Sequence, residues 1–299
     1  MTLRARDTVV VELMDDPDCD PARLAATLRR FDVVNRLWSG WSRLYRSRLG
    51  PFLGSLDRPA RVLDLGSGGG DLVARLSRLA ERDGLDVRWI GADPDPRALD
   101  VARERASSRI EFRATDASSL GAAGERFDAV LSNNVLHHLG ADELAAFAAD
   151  SRALSDGIVL HSDIRRSRAA YGLYAIAVTP FAPGTFLRTD GLRSIRRSYH
   201  ADELAGSLGA PWRVTDASPF RIVAEARAGG GAASDGEVRV EGASADAVAR
   251  SKAASDAQAR GEGRAASDAD ARVGGPAASD AKALPEGAAA STAQARADG

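Results

Sequence analysis

Strand-like and helix-like segments alternate through the middle of the chain, from residue 61 to residue 163. Five short apolar runs are predicted strands, at 61–65, 87–93, 110–115, 127–134 and 157–163. The segments between them include predicted helices at 70–82, 96–106 and 141–153. Alternation at this spacing requires right-handed crossovers, so it predicts a parallel sheet with helices on both faces.

A glycine-rich turn, DLGSGGGD, follows the first predicted strand. Ligands of such sheets bind beyond the carboxyl ends of the strands, and this turn lies at that edge. A dinucleotide-binding fingerprint would place a glycine at position 71, where this chain has Asp71. A pyrophosphate prefers helix amides without a nearby carboxylate, whereas Asp64 and Asp71 suit a cationic or hydrogen-donating ligand. S-adenosylmethionine (SAM), with an ammonium, a sulfonium and no phosphate, is such a ligand.

Two more acidic residues end the second and third predicted strands. Asp93 is placed to accept hydrogen bonds from the ribose hydroxyls, as acidic residues do in nucleotide-binding sheets. Asp116, in the segment Thr115-Asp116-Ala117, is placed to accept one from the adenine amino group. Either aspartate alone fits a turn or a helix N-cap equally well. Carboxylates at three strand ends of one sheet favour a ligand.

The order DLGSGGGD, GADPD, TDA, FDAVLSNNVLHHL and GIVLHSD resembles that of the class I SAM-dependent methyltransferases over residues 55–227. The resemblance implies methyltransferase activity with SAM as the cofactor. It also implies an α/β fold, a Rossmann-like doubly wound sheet of seven strands, six parallel and one antiparallel, with the last two strands near 212–218 and 220–227. The cofactor-binding residues that it implies are Asp64, Gly66, Ser67, Gly68, Gly70, Asp93, Pro94, Asp116, Ala117 and Asn133.

Three of the four histidines lie near the ends of the fourth and fifth predicted strands, where we expect them to face the methyl group: His137, His138 and His161. A hydroxyl acceptor must lose a proton, and histidine has the side chain best suited to accept it at neutral pH. Similarity to small-molecule O-methyltransferases with a VLHHL segment implies that His137 is the base and that Asp163 orients it. Because consecutive side chains diverge, we expect only one of His137 and His138 to point at the substrate. For Asp163 the alternative is a salt bridge with an arginine that follows it.

A mostly helical stretch, interrupted near Ser39-Gly40, precedes the predicted sheet. Part of it, RRFDVVNRLWSGWSRLYR, resembles the N-terminal signature of quinone-biosynthesis C-methyltransferases, which implies a helical lid over the acceptor. We expect its apolar positions to share one face that packs on the core: Leu37, Trp38, Trp41, Leu44 and Tyr45. Together with the aromatic segment at 164–200, this lid predicts an uncharged, lipophilic acceptor.

The leading hypothesis is methylation of a hydroxyl group on a lipophilic phenolic, quinol or polyketide-like small molecule. One alternative is methylation of a quinol ring carbon, with the same histidine deprotonating the ring hydroxyl. A second alternative is a SAM-binding protein without catalytic activity. A third, a nicotinamide-dependent oxidoreductase, is disfavoured by Asp71.

Composition predicts the boundary of the C-terminal tail and argues against nucleic acid as a partner. The formal net charge of −2 provides no field that would attract nucleic acid. The single cysteine, Cys19, and apolar runs well short of the ~20 residues of a membrane-spanning helix predict a cytoplasmic protein, with peripheral membrane contact left open. No cluster of metal ligands stands out, so no metal is expected. We predict a helical lid at 1–54, a methyltransferase domain at 55–227 and a disordered, alanine-rich tail at 228–299.

Overall fold

A computed structural model of the chain describes residues 3–228. Its strands are β1 (Ala60–Leu65), β2 (Val87–Asp93), β3 (Ile110–Ala114), β4 (Phe127–Asn133), β5 (Ser155–Ile164), β6 (Arg213–Ser218) and β7 (Arg221–Arg227). They form one sheet in the order β3-β2-β1-β4-β5-β7-β6. Only β7 among these strands runs antiparallel to its neighbours, β5 and β6. The predicted sheet of six parallel strands and one antiparallel strand is confirmed.

Helices of the described part of the chain cover the sheet and its carboxyl edge. They are α1 (Pro21–Trp38), α2 (Trp41–Leu44), α3 (Gly50–Gly54), α4 (Asp71–Arg82), α5 (Pro96–Ala102), α6 (Ala117–Ala122), α7 (Ala141–Leu154), α8 (Arg168–Ala177), α9 (Leu187–Arg197) and α10 (Ala201–Leu208). The predicted helices correspond to α4, α5 and α7, although α5 gives way to a 3₁₀ turn at Arg103–Arg105. Two further 3₁₀ turns, Leu13–Asp15 and Leu136–His138, lie beside the site described below.

Alternate residues of the central strands enter two apolar layers, one on each face of the sheet. On one face Val62 of β1 belongs to a buried cluster with Leu76 of α4. On the other face Leu63 belongs to a cluster with Phe127 of β4 and Leu154 of α7. Because both faces are covered, the central strands are apolar almost throughout. Polar side chains lie toward the two ends of these strands, as Arg61 and Asp64 do in β1.

The N-terminal helices pack over the carboxyl edge of β1. The side chain of Asp20 caps α1, and Pro21 occupies its first turn, as the sequence predicts. From α1, Asn35 Nδ2 donates a hydrogen bond to Asp71 Oδ2 at 3.0 Å, beside the glycine-rich turn. Arg75 of α4 donates to the backbone oxygen of Asn35 at 3.0 Å. These bonds fix α1 on the turn between β1 and α4.

The predicted break between α1 and α2 is present, but its effect on packing differs from our expectation. Gly40 at the break has φ +72°, the left-handed conformation that glycine adopts readily. Trp41 and Tyr45 beyond it are buried, whereas Leu37 and Trp38 before it are 61% and 38% exposed. The prediction of one apolar face was therefore wrong, because the left-handed residue reorients the chain between Trp38 and Trp41.

Two other predictions concern the ends of the chain and its relation to membranes. No helix among residues 3–228 is both long and apolar enough to cross a bilayer. Apart from Ala228, the predicted disordered tail at 228–299 lies outside the described residues. The predicted boundaries of the lid and the methyltransferase domain fall between α3 and β1 and at the end of β7, and this division stays a prediction.

Candidate active site

The turn between β1 and α4 depends on its glycines. Gly66, Gly68 and Gly70 have φ values of +68°, +51° and +76°, where other residues are strained. A Cβ atom at Gly66 would also lie 2.6 Å from the Val135 side chain, and one at Gly70 would clash with the ring of Phe112. These glycines are therefore required by the turn itself, and they leave its backbone accessible to a ligand.

Three buried or partly buried carboxylates meet at this turn, from Asp64, Asp71 and Asp93. Asp64 is 2% exposed, and its Oδ1 has no hydrogen-bond partner. Burial, reinforced by the charges of Asp71 and Asp93, raises the pKa of Asp64 well above its usual range. Burial also raises the pKa values of Asp71 and Asp93. An ammonium or sulfonium group would stabilise the ionised carboxylates here.

Asp93 and Asp116 both have local backbone partners, as the turn and N-cap interpretation expects. Asp93 accepts hydrogen bonds from the backbone nitrogens of Gly68 at 2.8 Å and Asp95 at 2.9 Å. Asp116 caps α6 by accepting from the backbone nitrogen of Ser119 at 2.8 Å. A carboxylate has about four lone-pair sites, so these bonds position both groups and leave capacity for a ligand.

The other predicted cofactor contacts lie at the same edge of the sheet: Ser67, Pro94, Ala117 and Asn133. Ser67 is buried in the glycine-rich turn, and its backbone nitrogen donates a hydrogen bond to the backbone oxygen of Ala92 at 3.1 Å. Asn133 ends β4, where its Oδ1 accepts from Trp41 Nε1 at 3.0 Å and from Arg221 Nη2 at 2.6 Å. The structure thus brings all the predicted cofactor contacts to the carboxyl ends of β1 to β4.

A buried histidine and aspartate form a pair where β4 and β5 end. His137 Nδ1 lies 2.7 Å from Asp163 Oδ1, and the backbone nitrogen of His137 donates to Asp163 Oδ2 at 2.9 Å. Both side chains are 1% exposed. Although burial opposes ionisation of Asp163, the neighbouring His137 outweighs it and lowers the pKa of this carboxyl. An ionised Asp163 holds the imidazole with Nε2 directed away from it.

The arginines that follow Asp163 do not pair with it. Arg166 Nη2 donates to Glu203 Oε1 at 2.5 Å, and Arg165 Nε lies 3.6 Å from Asp216 Oδ1. The alternative role for Asp163, a salt bridge with one of these arginines, is contradicted by this geometry. The side chain of Asp163 instead pairs with that of His137.

Glu12, a residue that the sequence analysis missed, faces the other ring nitrogen of His137. Its Oε1 lies 3.3 Å from His137 Nε2 and accepts a hydrogen bond from Ser194 Oγ at 2.7 Å. Burial lowers the pKa of His137, but the carboxylates of Asp163 and Glu12 outweigh burial and raise it to about 9. Burial raises the pKa of Glu12, but His138 and His137 outweigh it and lower it to about 2. In this arrangement His137 is an imidazolium between two carboxylates at neutral pH.

The N-terminal segment that carries Glu12 is attached to α9. The backbone nitrogens of Leu13 and Met14 donate to Asp190 Oδ1 at 2.8 Å and Oδ2 at 3.0 Å. Nearer the N-terminus, the backbone nitrogen of Asp7 donates to the oxygen of Arg196 at 3.0 Å. This segment lacks any recognisable motif, so the sequence carries no signal that would place Glu12 in the site.

His138 also turns toward Glu12. Its Nδ1 lies 3.1 Å from Asp15 Oδ2, its Nε2 lies 3.8 Å from Glu12 Oε1, and its side chain is 29% exposed. The ring centroids of His137 and His138 are 4.3 Å apart. The expectation that only one of these consecutive side chains points into the site was wrong, because the 3₁₀ turn Leu136–His138 brings both rings to the same carboxylate.

His161 does not face the site. It lies inside β5, which continues to Ile164, and its Nδ1 is 2.8 Å from Ser132 Oγ. Its ring stacks on Trp212 with centroids 5.2 Å apart. Burial lowers the pKa of His161 to about 3, so it is neutral. The expectation that it faces the methyl group was wrong, because His161 lies within the strand and its ring packs in the core against Phe147 and Trp212.

Comparison with known proteins agrees with this geometry. Residues 62–157 match the family model described as "Methyltransferase domain". Two structures of the plantazolicin methyltransferase BpumL with SAH and desmethylPZN analogs share the fold, each with a TM-score of 0.50. The complex with the pentazolic analog is 11% identical and covers 72% of this chain and 97% of that chain. The complex with the monoazolic analog is 12% identical, with coverages of 72% and 96%. Residues 62–157 are therefore similar to a methyltransferase domain, and the sheet that contains them has the fold of these SAH-bound methyltransferases.

Among curated proteins, the chain is similar to bacterial enzymes named "Ubiquinone biosynthesis O-methyltransferase". It is 40% identical over 117 residues to that of Cereibacter sphaeroides (strain ATCC 17025 / ATH 2.4.3), covering 38% of this chain and 44% of the relative. It is 37% identical over 119 residues to that of Brucella anthropi, with coverages of 39% and 46%. The chain therefore matches less than half the length of these relatives.

Proposed function

We propose that this protein transfers the methyl group of SAM to a hydroxyl group of a lipophilic phenolic, quinol or polyketide-like small molecule. The observation that carries this proposal is the buried pair of His137 and Asp163, 2.7 Å apart, at the same edge of the sheet as the glycine-rich turn. The names of the sequence relatives, O-methyltransferases, support oxygen rather than carbon as the methyl acceptor.

SAM would lie across the carboxyl ends of β1 to β4. Its methionine portion would contact Asp64, Gly66, Ser67, Gly68, Gly70 and Asn133, its ribose Asp93 and Pro94, and its adenine Asp116 and Ala117. The buried, unpartnered oxygen of Asp64 supports this arrangement, because a cationic methionine group would supply the missing partner. Burial of Asp64 among other carboxylates also disfavours a phosphate-containing ligand.

In the proposed reaction the acceptor oxygen attacks the sulfonium methyl group in line. An O–CH₃ bond forms, the S–CH₃ bond breaks, and its electron pair remains on sulfur, which leaves S-adenosylhomocysteine. His137 can accept this proton only as the neutral imidazole, and displacement of Glu12 favours that form because it removes one of the two carboxylates that raise the pKa of His137. The hydroxyl proton then passes to Nε2 of His137, while Asp163 holds Nδ1. Since Glu12 faces that Nε2 at 3.3 Å, the acceptor hydroxyl has to take its place there. His138, whose ring also faces Glu12, is the alternative base.

Apolar side chains on the covering helices support a lipophilic acceptor. Val34 of α1, Val178 and Leu187 form a buried cluster, against which Phe31 and Tyr174 pack. These residues join α1 to α8 and α9. In turn, α9 binds the N-terminal segment, which places Glu12 beside His137. Apolar side chains on the helices near the site favour an acceptor with an uncharged ring system.

The test is an assay for S-adenosylhomocysteine with a panel of phenols, catechols and quinols. We expect its release with a subset of lipophilic hydroxylated rings. NMR of the product made from ¹³C-methyl SAM should show the label on oxygen, whereas a label on ring carbon would replace O-methylation by C-methylation. Tight SAM binding without release on any acceptor would contradict the enzymatic proposal.

A further inference from the structure

We propose that Glu12, His137 and His138 bind one divalent transition-metal ion such as Zn²⁺, through a carboxylate oxygen of Glu12 and the two Nε2 atoms. The inference goes beyond the proposed methyl transfer and differs from the expectation that no metal is bound. Glu12 lies far from the two histidines in sequence, and only the fold brings the three together. The candidate ligand atoms lie within 4.8 Å of one another.

Both imidazoles have the orientation of metal-binding histidines. A carboxylate lies at each Nδ1, Asp163 at 2.7 Å from that of His137 and Asp15 at 3.1 Å from that of His138. A carboxylate at Nδ1 fixes the tautomer and the ring plane, so that Nε2 presents its lone pair once a metal ion displaces any proton on it. Each of these consecutive histidines therefore has its own carboxylate at Nδ1, as metal-binding histidines do.

The two Nε2 atoms converge on a single oxygen. They lie 3.3 Å and 3.8 Å from Glu12 Oε1 for His137 and His138. Donors about 2.1 Å from a tetrahedral zinc ion are about 3.4 Å apart. The distance to His137 already matches this value, and that to His138 requires a shift of a few tenths of an ångström. His138 can move that far because its side chain is partly exposed.

The interior position of His137 leaves one polar atom unsatisfied. Its Nε2 is buried and has no hydrogen-bond partner among the described residues, although Glu12 is near. Two guanidinium groups lie close by, but Arg6 and Arg197 donate to the backbone oxygens of His137 and His138 and not to the ring nitrogens. A metal ion between the rings and Glu12 would supply the partner that Nε2 lacks.

Two imidazoles and one carboxylate select a first-row transition ion over Mg²⁺ or Ca²⁺, which prefer oxygen ligands. Three protein donors leave a position on the ion for an oxygen of the acceptor, whose hydroxyl would lose its proton to water more readily there. This last step rests on the proposed function, whereas metal binding does not. A metal-bound Nε2 has no lone pair for a proton, so His137 serves either as ligand or as base in a given state.

The test uses full-length, untagged protein that has been stripped with a chelator. We expect calorimetry to show one equivalent of Zn²⁺ bound, and Co²⁺ to give the visible bands of a four- or five-coordinate ion. Excess Mg²⁺ should not displace either. Glu12→Gln and His138→Asn should each weaken binding at least about tenfold, and Asp15→Asn about 10- to 100-fold, as loss of outer carboxylates does at other sites.

His200→Asn is the matched control, because it removes a histidine outside the cluster and should leave the zinc affinity unchanged. Circular dichroism establishes that each variant is folded, and Glu12→Gln and His138→Asn are independent tests of the same site. Absence of stoichiometric zinc binding, or wild-type affinity in both variants, would overturn the site. Methyl transfer without zinc binding would overturn the metal site and leave the proposed function intact. Zinc binding without methyl transfer to any acceptor would do the reverse.

Discussion

At the scale of single residues, the imidazole of His137 is held on both sides. Asp163 binds its Nδ1, and Glu12 faces its Nε2. A group fixed in this way loses little entropy when it reacts, which is how positioned catalytic groups gain rate. The chemistry of His137 depends on what binds its Nε2, since an acceptor hydroxyl in place of Glu12 gives Nε2 a proton, whereas a metal ion shared with Glu12 takes its lone pair.

His137→Ala should lower turnover roughly 10²-fold or more, because it removes the proposed base or metal ligand. The affinity for SAM should not change, since His137 lies beyond the predicted cofactor contacts. Release of S-adenosylhomocysteine gives the first quantity and calorimetry gives the second. His200→Ala is the control and should keep wild-type turnover. If His138→Ala shows the loss and His137→Ala does not, the role belongs to His138.

Asp64→Asn should stabilise the ligand-free protein and weaken SAM binding. The raised pKa of Asp64 means that its ionisation opposes folding. The wild type therefore loses stability as pH rises from about the ordinary value of 3.8 through the raised pKa. The advantage of the variant should appear at neutral pH and vanish in acid, as measured by urea unfolding. Its SAM affinity should fall by roughly 1.5 to 3 kcal/mol, the range for hydrogen bonds to a charged group.

An Asp100→Asn variant is the control for this experiment, because Asp100 is an exposed aspartate on the outer side of α5. Its unfolding curve and its SAM affinity should equal those of the wild type. Unchanged SAM affinity in Asp64→Asn would remove Asp64 from the cofactor site.

At the scale of helices and strands, buried hydrogen bonds connect α1 and α9, two of the helices that cover the site. Thr27 of α1 is buried, accepts a hydrogen bond from the backbone nitrogen of Phe186 at 2.8 Å and donates one to the oxygen of Arg23 at 2.7 Å. It joins α1 to the start of α9. The loss of such a bond leaves a buried amide without a partner.

Thr27→Val should therefore destabilise the protein by about 1 to 3 kcal/mol, the cost of an unsatisfied buried donor. Thr179→Val is the matched control, because Thr179 is exposed and bonds only within its own turn. Chemical denaturation followed by circular dichroism measures both. Equal denaturation midpoints for the two variants would show that the hydrogen bonds of Thr27 do not stabilise the contact between α1 and α9.

Elements with a local signal could be predicted from the sequence, and those set by distant contacts could not. The strands, α4 and the break at Gly40 follow from apolar runs, caps and glycine. Because parallel strands end at one edge, Asp64 and Asp93 could be placed together in advance. Nothing local marks Glu12, whose position depends on the bonds of its neighbours to Asp190 in α9. For His161 the error concerned the direction of the side chain, because its ring packs against Phe147 of α7 and Trp212, which are distant in sequence.

At the scale of the whole molecule, SAM binding should raise the stability of the fold, because the proposed cofactor bridges the ends of four strands. A ligand present at about 100 times its Kd stabilises a protein by about 2.7 kcal/mol. We therefore expect the Tm to rise with SAM and with S-adenosylhomocysteine in a thermal scan, and to stay constant with NAD or NADH. A larger shift with NADH than with SAM would favour the oxidoreductase hypothesis.

The attachment of the Glu12 segment to α9 bears on how substrates are exchanged. Two stretches that are far apart in the sequence lie together at the reaction centre, and they are bonded to each other through Asp190. Neither can withdraw alone without breaking those bonds. Since these bonds couple the two stretches, exchange of the acceptor and its methylated product would favour a movement in which both shift together rather than one in which either shifts alone.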